Sequence, residues 1–149
     1  MTITSNGQGG YAGLRSSAGY RLRDDAISIA VPSGPPAGST FYGVFTIRTD
    51  VKNTIDLDVR DTLFTVHTTI NGASGDFPSS RGPGENYIQI RETAGMLFFE
   101  KSSDRQTWSP IYSLPTPFSV DDVLIEVVGG VTGGPTMSSS IQFDAYNVP

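Results

Sequence analysis

Residues 86–108, NYIQIRETAGMLFFEKSSDRQTW, place two alternating segments, a tight connection and a Ser-Ser-Asp-Arg-Gln-Thr-Trp turn in one unbroken order. Ile88 and Ile90 alternate with Gln89 and Arg91, the period of two that marks a half-buried strand. Met96 and Phe98 alternate with Leu97 and Phe99, so the second segment is apolar on both faces and is expected to be covered on each. One face of this strand pair should therefore meet a second sheet.

The same period extends outward in both directions. Upstream, strand signals begin at Tyr20 with YRLR, continue as AISIAV, cross a PSGPPAGS loop and resume as FYGVFTIRT over Phe41–Thr49. Tyr42, Val44, Thr46 and Arg48 share one face there, and Phe41, Gly43, Phe45 and Ile47 the other. IDLDVRD and TLFTVHTTI follow, with Leu63, Thr65, His67 and Thr69 opposite Phe64, Val66, Thr68 and Ile70. Asn71–Glu85 reads as a long loop, a functional or mobile type of segment. Downstream, the prolines of WSPIYSLPTPF predict an edge strand or crossing loop, and VLIEVVGG and SSSIQFDAYNV supply the last strands. Eight to ten strands in two sheets are expected. Gly-rich and Ser-rich residues 1–19 read as an N-terminal arm or irregular segment, leaving 20–149 as a single sandwich domain.

The stretch 86–108 resembles the back half of concanavalin A-like (laminin-G-like) β-jelly-roll modules. In these a strand ending in an Ile-Arg-type pair, a short turn and a second strand lead into a Ser-x-Asp-Gly-x-x-Trp-like loop. Ser102, Asp104 and Trp108 match that loop, and Arg105 stands where the family usually has Gly. Ile141, Phe143, Tyr146 and Val148 resemble the Phe-Asp-x-Phe-x-Val final strand of the same modules. The resemblance covers residues 86–149 and implies an all-β, two-sheet antiparallel β-sandwich of jelly-roll type.

Composition agrees with one all-β domain: 149 residues carry 17 Gly and 10 Pro, and no Gly-free and Pro-free window shows a helical apolar stripe. There is no cysteine, which leaves packing and sheet hydrogen bonds to supply stability. No apolar run reaches membrane-spanning length, and the N-terminus lacks the apolar region of a secretory signal. A net charge of −5 disfavours nucleic-acid binding. Three of the ten cations and none of the fifteen carboxylates fall in residues 1–23, so a net +3 there faces −8 in the rest.

Chemistry-bearing residues are few. Asp56, Asp58 and Asp61 have the spacing of the Glu-x-Asp-x-x-Glu catalytic strand of jelly-roll β-glucanases, but both catalytic positions would be shortened by a methylene. They read as acids on a solvated strand face, and no glycosidase activity is expected. His67 is the sole histidine and reads as a strand-face residue, without partners for triad or multi-histidine metal chemistry. Trp108, Tyr112, Tyr87 and Tyr42 are placed to stack on a sugar ring, with Asn86, Gln89, Arg91 and Asp104 as polar partners. Asp104 equally reads as a turn-closing acceptor, and Trp108 as a packed residue. No cofactor is expected; calcium, common in related modules, would use Asp144 or Asp121 and Asp122.

The leading expectation is a non-catalytic attachment protein, a phage virion accessory component such as a head decoration or tail part. It would be made in the host cytoplasm, present in many copies or as a homo-oligomer, and inserted in no membrane. Tyr11, Leu14, Arg15, Arg21 and Arg23 would dock on a capsid or tail surface. The alternative is an extracellular carbohydrate-binding module or lectin with glycans as partners.

Overall fold

A computed structural model describes residues 2–5, 10–33, 35, 38, 40–131 and 139–144, with the backbone alone for 2–5, 10, 33, 131 and 139–144. Twelve strands run in order: β1 (Thr2–Ser5), β2 (Gly10–Arg15), β3 (Ala26–Ser33), β4 (Phe41–Asp50), β5 (Asn53–Val59), β6 (Leu63–Ile70), β7 (Ala73–Ser80), β8 (Tyr87–Thr93), β9 (Met96–Ser102), β10 (Ser109–Pro115), β11 (Leu124–Val131) and β12 (Ser139–Asp144). They form two six-stranded antiparallel sheets, β1-β12-β3-β8-β9-β10 and β2-β11-β4-β5-β6-β7. The expected two-sheet antiparallel sandwich is the observed architecture, and no helix among the described residues is long and apolar enough to cross a membrane.

Period-two burial explains why these segments pair face to face. Ile27, Ile29, Val31, Ile88, Ile90, Leu97 and Phe99 of the first sheet pack against Phe45, Ile47, Ile55, Leu57, Val59, Phe64, Val66, Ile125 and Val127 of the second. Burying large apolar side chains contributes about 1.5–3 kcal/mol each relative to exposure, which makes this layer the main stabilising term. One open side of the sandwich is closed by Phe77 of β7 stacked on Tyr112 of β10, with ring centroids 3.8 Å apart and planes 11° apart. Lys101 of β9 reaches across the same side to donate to the Ser80 carbonyl at 2.5 Å and to pair with Glu85 at 3.0 Å.

Two expectations are corrected here. Within residues 1–19, expected as an N-terminal arm or irregular segment, the described stretches are strands: β1 pairs with β12, and β2 pairs with β11 from Gly10↔Val131 to Arg15↔Glu126. Edge strands need backbone hydrogen bonds more than apolar side chains, so a Gly-rich and Ser-rich segment pairs despite its poor hydrophobicity. Nor is 71–85 one long loop. Asn71 and Gly72 adopt φ of 52° and 83°, the type I′ geometry that joins β6 to β7 as a hairpin. Together β1, β2 and β7 account for most of the excess over eight to ten strands. Ala94 and Gly95, at φ 51° and 77°, form the same kind of turn between β8 and β9.

Candidate functional site

The inward positions of the second sheet are mostly apolar and its outward positions carry most of its charged residues, which antiparallel register lines up across six strands. One row reads Arg15, Glu126, Thr46, Asp56, His67, Asp76 on β2, β11, β4, β5, β6 and β7. The next reads Gly13, Val128, Val44, Asp58, Thr65, Pro78. A third begins Tyr11, Gly130, Tyr42.

Side chains of these rows and their neighbours are engaged in separate polar clusters. Asp76 accepts or shares a proton with His67 Nδ1 at 2.6 Å, and His67 Nε2 lies 3.2 Å from Asp58 Oδ2, so the imidazole is clamped between two carboxylates. Thr46 Oγ1 donates to Asp56 at 2.6 Å. Arg60 lies 3.6 Å from Asp58, and its guanidinium sits 4.5 Å above the Tyr42 ring centroid. Glu126 pairs with Arg15 and, at 2.7 Å, with Arg48, although its Oε1 receives no well-aligned hydrogen bond. The Tyr11 and Tyr42 hydroxyls meet at 2.7 Å.

Desolvation sets the electrostatics. Asp58 is only 4% exposed. Burial pushes its carboxyl up to about 6; His67 and Arg60 restrain the rise, and Asp56 adds to it. Burial likewise raises Asp56 against the restraining Thr46 hydrogen bond. At His67 burial opposes charging, but the Asp76 hydrogen bond and the two neighbouring carboxylates outweigh it, so the imidazole is raised above its ordinary value. Burial and the Tyr11 hydrogen bond raise the Tyr42 phenol. A carboxyl half-protonated near pH 6 can both donate and accept hydrogen bonds.

The acids of DLDVRD are thus not simply solvated. Asp56 and Asp58 are desolvated on one face, whereas Asp61 lies past the end of β5 and acts on Arg81. The triplet suggested by sequence therefore splits into a pair and an outlier. His67 is a strand-face residue as expected, yet engaged at both nitrogens. Asp76 escaped sequence reasoning because β7 did; the Asn71-Gly72 dipeptide was the available signal. Glu126, Arg48 and Arg60 had no local signal, since their role arises only from register.

The expected sugar-stacking residues do not form one cluster. Tyr42 belongs to the second sheet's outer face. Tyr87, Gln89 and Arg91 point outward from the first sheet, where Gln89 and Arg91 donate to Glu100 at 2.6 and 2.9 Å and Arg91 covers Phe98. Tyr112 is used in the seam with Phe77. Trp108 is half-buried just ahead of β10, and Arg81 donates to the Asn86 side chain at 3.3 Å. Asp104 closes its turn, accepting from the Gln106 and Thr107 amides at 2.8 Å each, which with Ser102 hold its carboxyl near 2. Arg105 has φ 63°, the left-handed conformation that explains why related modules place Gly there.

The docking candidates are also redistributed. Arg15 is engaged with Glu126, and Arg23 makes a two-point contact with Asp121 at 2.6 and 2.7 Å, with Arg21 at 3.7 Å from the same carboxylate. Tyr11 and Leu14 stay 58% and 64% exposed. Of the calcium candidates, Asp121 is engaged by Arg23, and the Asp144 side chain lies outside the described residues, as do Tyr146 and Val148 entirely. Among the described residues no group of three or more His, Asp or Glu has a metal-holding arrangement.

No family model and no curated protein matches the sequence. Solved structures do resemble the fold. A functionally unknown Saccharomyces cerevisiae protein has TM-score 0.62 and 17% identity over 91% of this chain and 71% of its own. A Bacillus licheniformis β-glucanase has TM-score 0.60 and 11% identity, covering 91% and 70%. A Bacillus halodurans xylan β-1,4-xylosidase has TM-score 0.58 and 11% identity over 81% of this chain, which spans 27% of the enzyme. The expectation of a non-catalytic protein is therefore corrected: this sandwich occurs in glycoside hydrolases, so its architecture gives no ground for excluding catalysis. With two six-stranded antiparallel sheets and these neighbours, the chain has the concanavalin A-like β-jelly-roll fold.

Proposed function

We propose that the protein is a carbohydrate-directed β-sandwich that binds a glycan on the outer face of its second sheet. The observation that carries this reading is the row Arg15, Glu126, Thr46, Asp56, His67, Asp76, a continuous strip of hydrogen-bonding groups across all six strands. Such a strip suits a ligand that presents hydroxyls along its length. The β-glucanase and xylosidase neighbours lend support at the level of fold, and they make a β-glucan and xylan the first probes. Attachment to a capsid or tail surface relied on a free basic arm, and the internal pairing of β2, Arg15 and Arg23 leaves that mechanism without its main parts. Affinity electrophoresis and calorimetry against the two polysaccharides test the reading, with Arg60→Ala expected to weaken binding. A well-folded chain that binds neither polysaccharide overturns it.

A second reading adds hydrolysis at the same place, favoured by the raised Asp58 carboxyl next to Asp56. Outward neighbours on one strand lie about 6.7 Å apart at Cα, near enough for both side chains to reach one sugar ring. Asp56, the less buried of the two, would face the bond, with the protonated Asp58 as its partner. Reducing-end release by the wild type that is lost in Asp58→Asn, with binding kept, supports this second step. Binding with no release leaves a lectin.

A further inference from the structure

At the β2 edge of this face lies a groove of about 420 Å³ lined by Tyr11, Gly13, Leu14, Arg15, Glu126 and Val128, among others. Tyr11 stands over Gly130, where an added Cβ would fall 2.0 Å from its ring, so the missing side chain is what lets the ring lie down there. Its hydroxyl is tied to Tyr42 at 2.7 Å, and the two rings meet edge to face at 76°. The ring is thus held in place yet 58% exposed. Beside it Arg15 and Glu126 offer a donor and an acceptor side by side, with Glu126 Oε1 held by Arg15 and, at 2.7 Å, by Arg48. A fixed aromatic plane next to a paired donor and acceptor is the chemistry that holds a sugar ring.

We propose that this groove is an outlying subsite for a neutral oligosaccharide, with Tyr11 as the stacking platform. The inference rests on the carbohydrate reading above and adds the ligand's length and charge. Tyr11 on β2 is three strand spacings from Asp58 on β5, about 14 Å, which one sugar ring does not span. Along the face the cations Arg15, Arg48, Arg60 and His67 match the carboxylates Glu126, Asp56, Asp58 and Asp76, so neither an anionic nor a cationic sugar is favoured. The row Arg15, Glu126, Thr46, Asp56 runs unbroken from the groove to the central acids, with Asp58 one row over.

The test uses β-gluco-oligosaccharides and xylo-oligosaccharides from the monosaccharide to the hexasaccharide, titrated by calorimetry into the wild type, Tyr11→Ala and Tyr11→Phe. Affinity should climb with length in the wild type and lose about five- to tenfold for the hexasaccharide in Tyr11→Ala. Tyr11→Phe, which keeps the ring, should stay within about twofold. Should Tyr11→Ala fail to fold, the Tyr11 ring proton shifts of the wild type decide: they should move with hexasaccharide and not with disaccharide. A wild type that binds di- and hexasaccharide equally, or whose Tyr11 shifts stay fixed at saturation, overturns the subsite while leaving the central site standing. No binding by any member of either series overturns both.

Discussion

Replacing Asp58 by Asn is expected to make the protein more stable at neutral pH while disabling its outer face. The side chain is nearly inaccessible, and burial lifts its carboxyl from 3.8 to about 6. Between those values the folded chain keeps a proton that the unfolded chain has released, so stability falls as pH rises through that window and stays lowered above it. The difference corresponds to ~3 kcal/mol at neutral pH. In a domain of this length that is roughly 6–12 °C in Tm. The Asn variant has no such charge to desolvate and can still accept from His67 Nε2. The weakened electrostatic support of His67 subtracts from the gain, so about 1–3 kcal/mol is the expected net effect. Urea unfolding of both proteins at pH 4, 5, 6 and 7 measures it: the two curves should nearly coincide at the acid end and diverge as pH rises. A variant that is less stable at pH 7, or a gap that does not change with pH, would refute the argument that the desolvated charge is the destabilising element.

The single histidine makes its own clamp measurable, because one imidazole signal follows pH by NMR: it should titrate above 6.5 in the wild type and fall towards that value in Asp76→Asn. The stability contributed by that raised imidazole is full below its ordinary pKa and fades as pH rises through the folded value, so Asp76→Asn should cost more at pH 5 than at pH 9. Gly72→Ala places a Cβ in open space but at φ 83°, and should lose about 1 kcal/mol from backbone strain alone, seen as a lower urea midpoint. Arg105→Gly relieves the same strain at φ 63° and should raise Tm by roughly 2–4 °C with Asp104 still capping its turn. A double-mutant cycle on Phe77→Ala and Tyr112→Ala should show about 1 kcal/mol of coupling from their stacked rings, and additivity would remove them as the closure of that side.

The inward half of this molecule was legible in the sequence because burial imposes period two on every strand that has a core face. Phe45, Ile47, Leu57, Phe64, Val66, Ile88 and Ile90 fall where alternation places them. What was missed has a common cause. β1 and β2 carry too few apolar side chains to register as strands, and β7, reading ASGDFPSS, has an alternation interrupted by Gly75 and Pro78. Edge strands are held by the backbone ladder, which leaves little trace in side-chain hydrophobicity. For β7 the Asn71-Gly72 turn was the legible sign, and with it Asp76 would have been placed opposite His67. Arg105 was a different case: the departure from Gly was visible, and its strained backbone is the consequence.

The outward half follows another rule. Arg15, Thr46, Asp56, His67, Asp76 and Glu126 come from six strands scattered over most of the chain, and no spacing along the sequence relates them. Each alone reads as an ordinary solvated residue on a half-buried strand. Only antiparallel register converts them into a row, and it sets Asp58 of the next row against His67, where burial shifts its carboxyl. This places two demands on one sheet: the inner face needs only apolar bulk at alternate positions, whereas the outer face needs particular residues at matching heights on neighbouring strands. A one-residue slip of β5 against β6 would therefore do more than expose Leu57. It would also part Asp58 from His67, so the core that fixes the register is also what assembles the site.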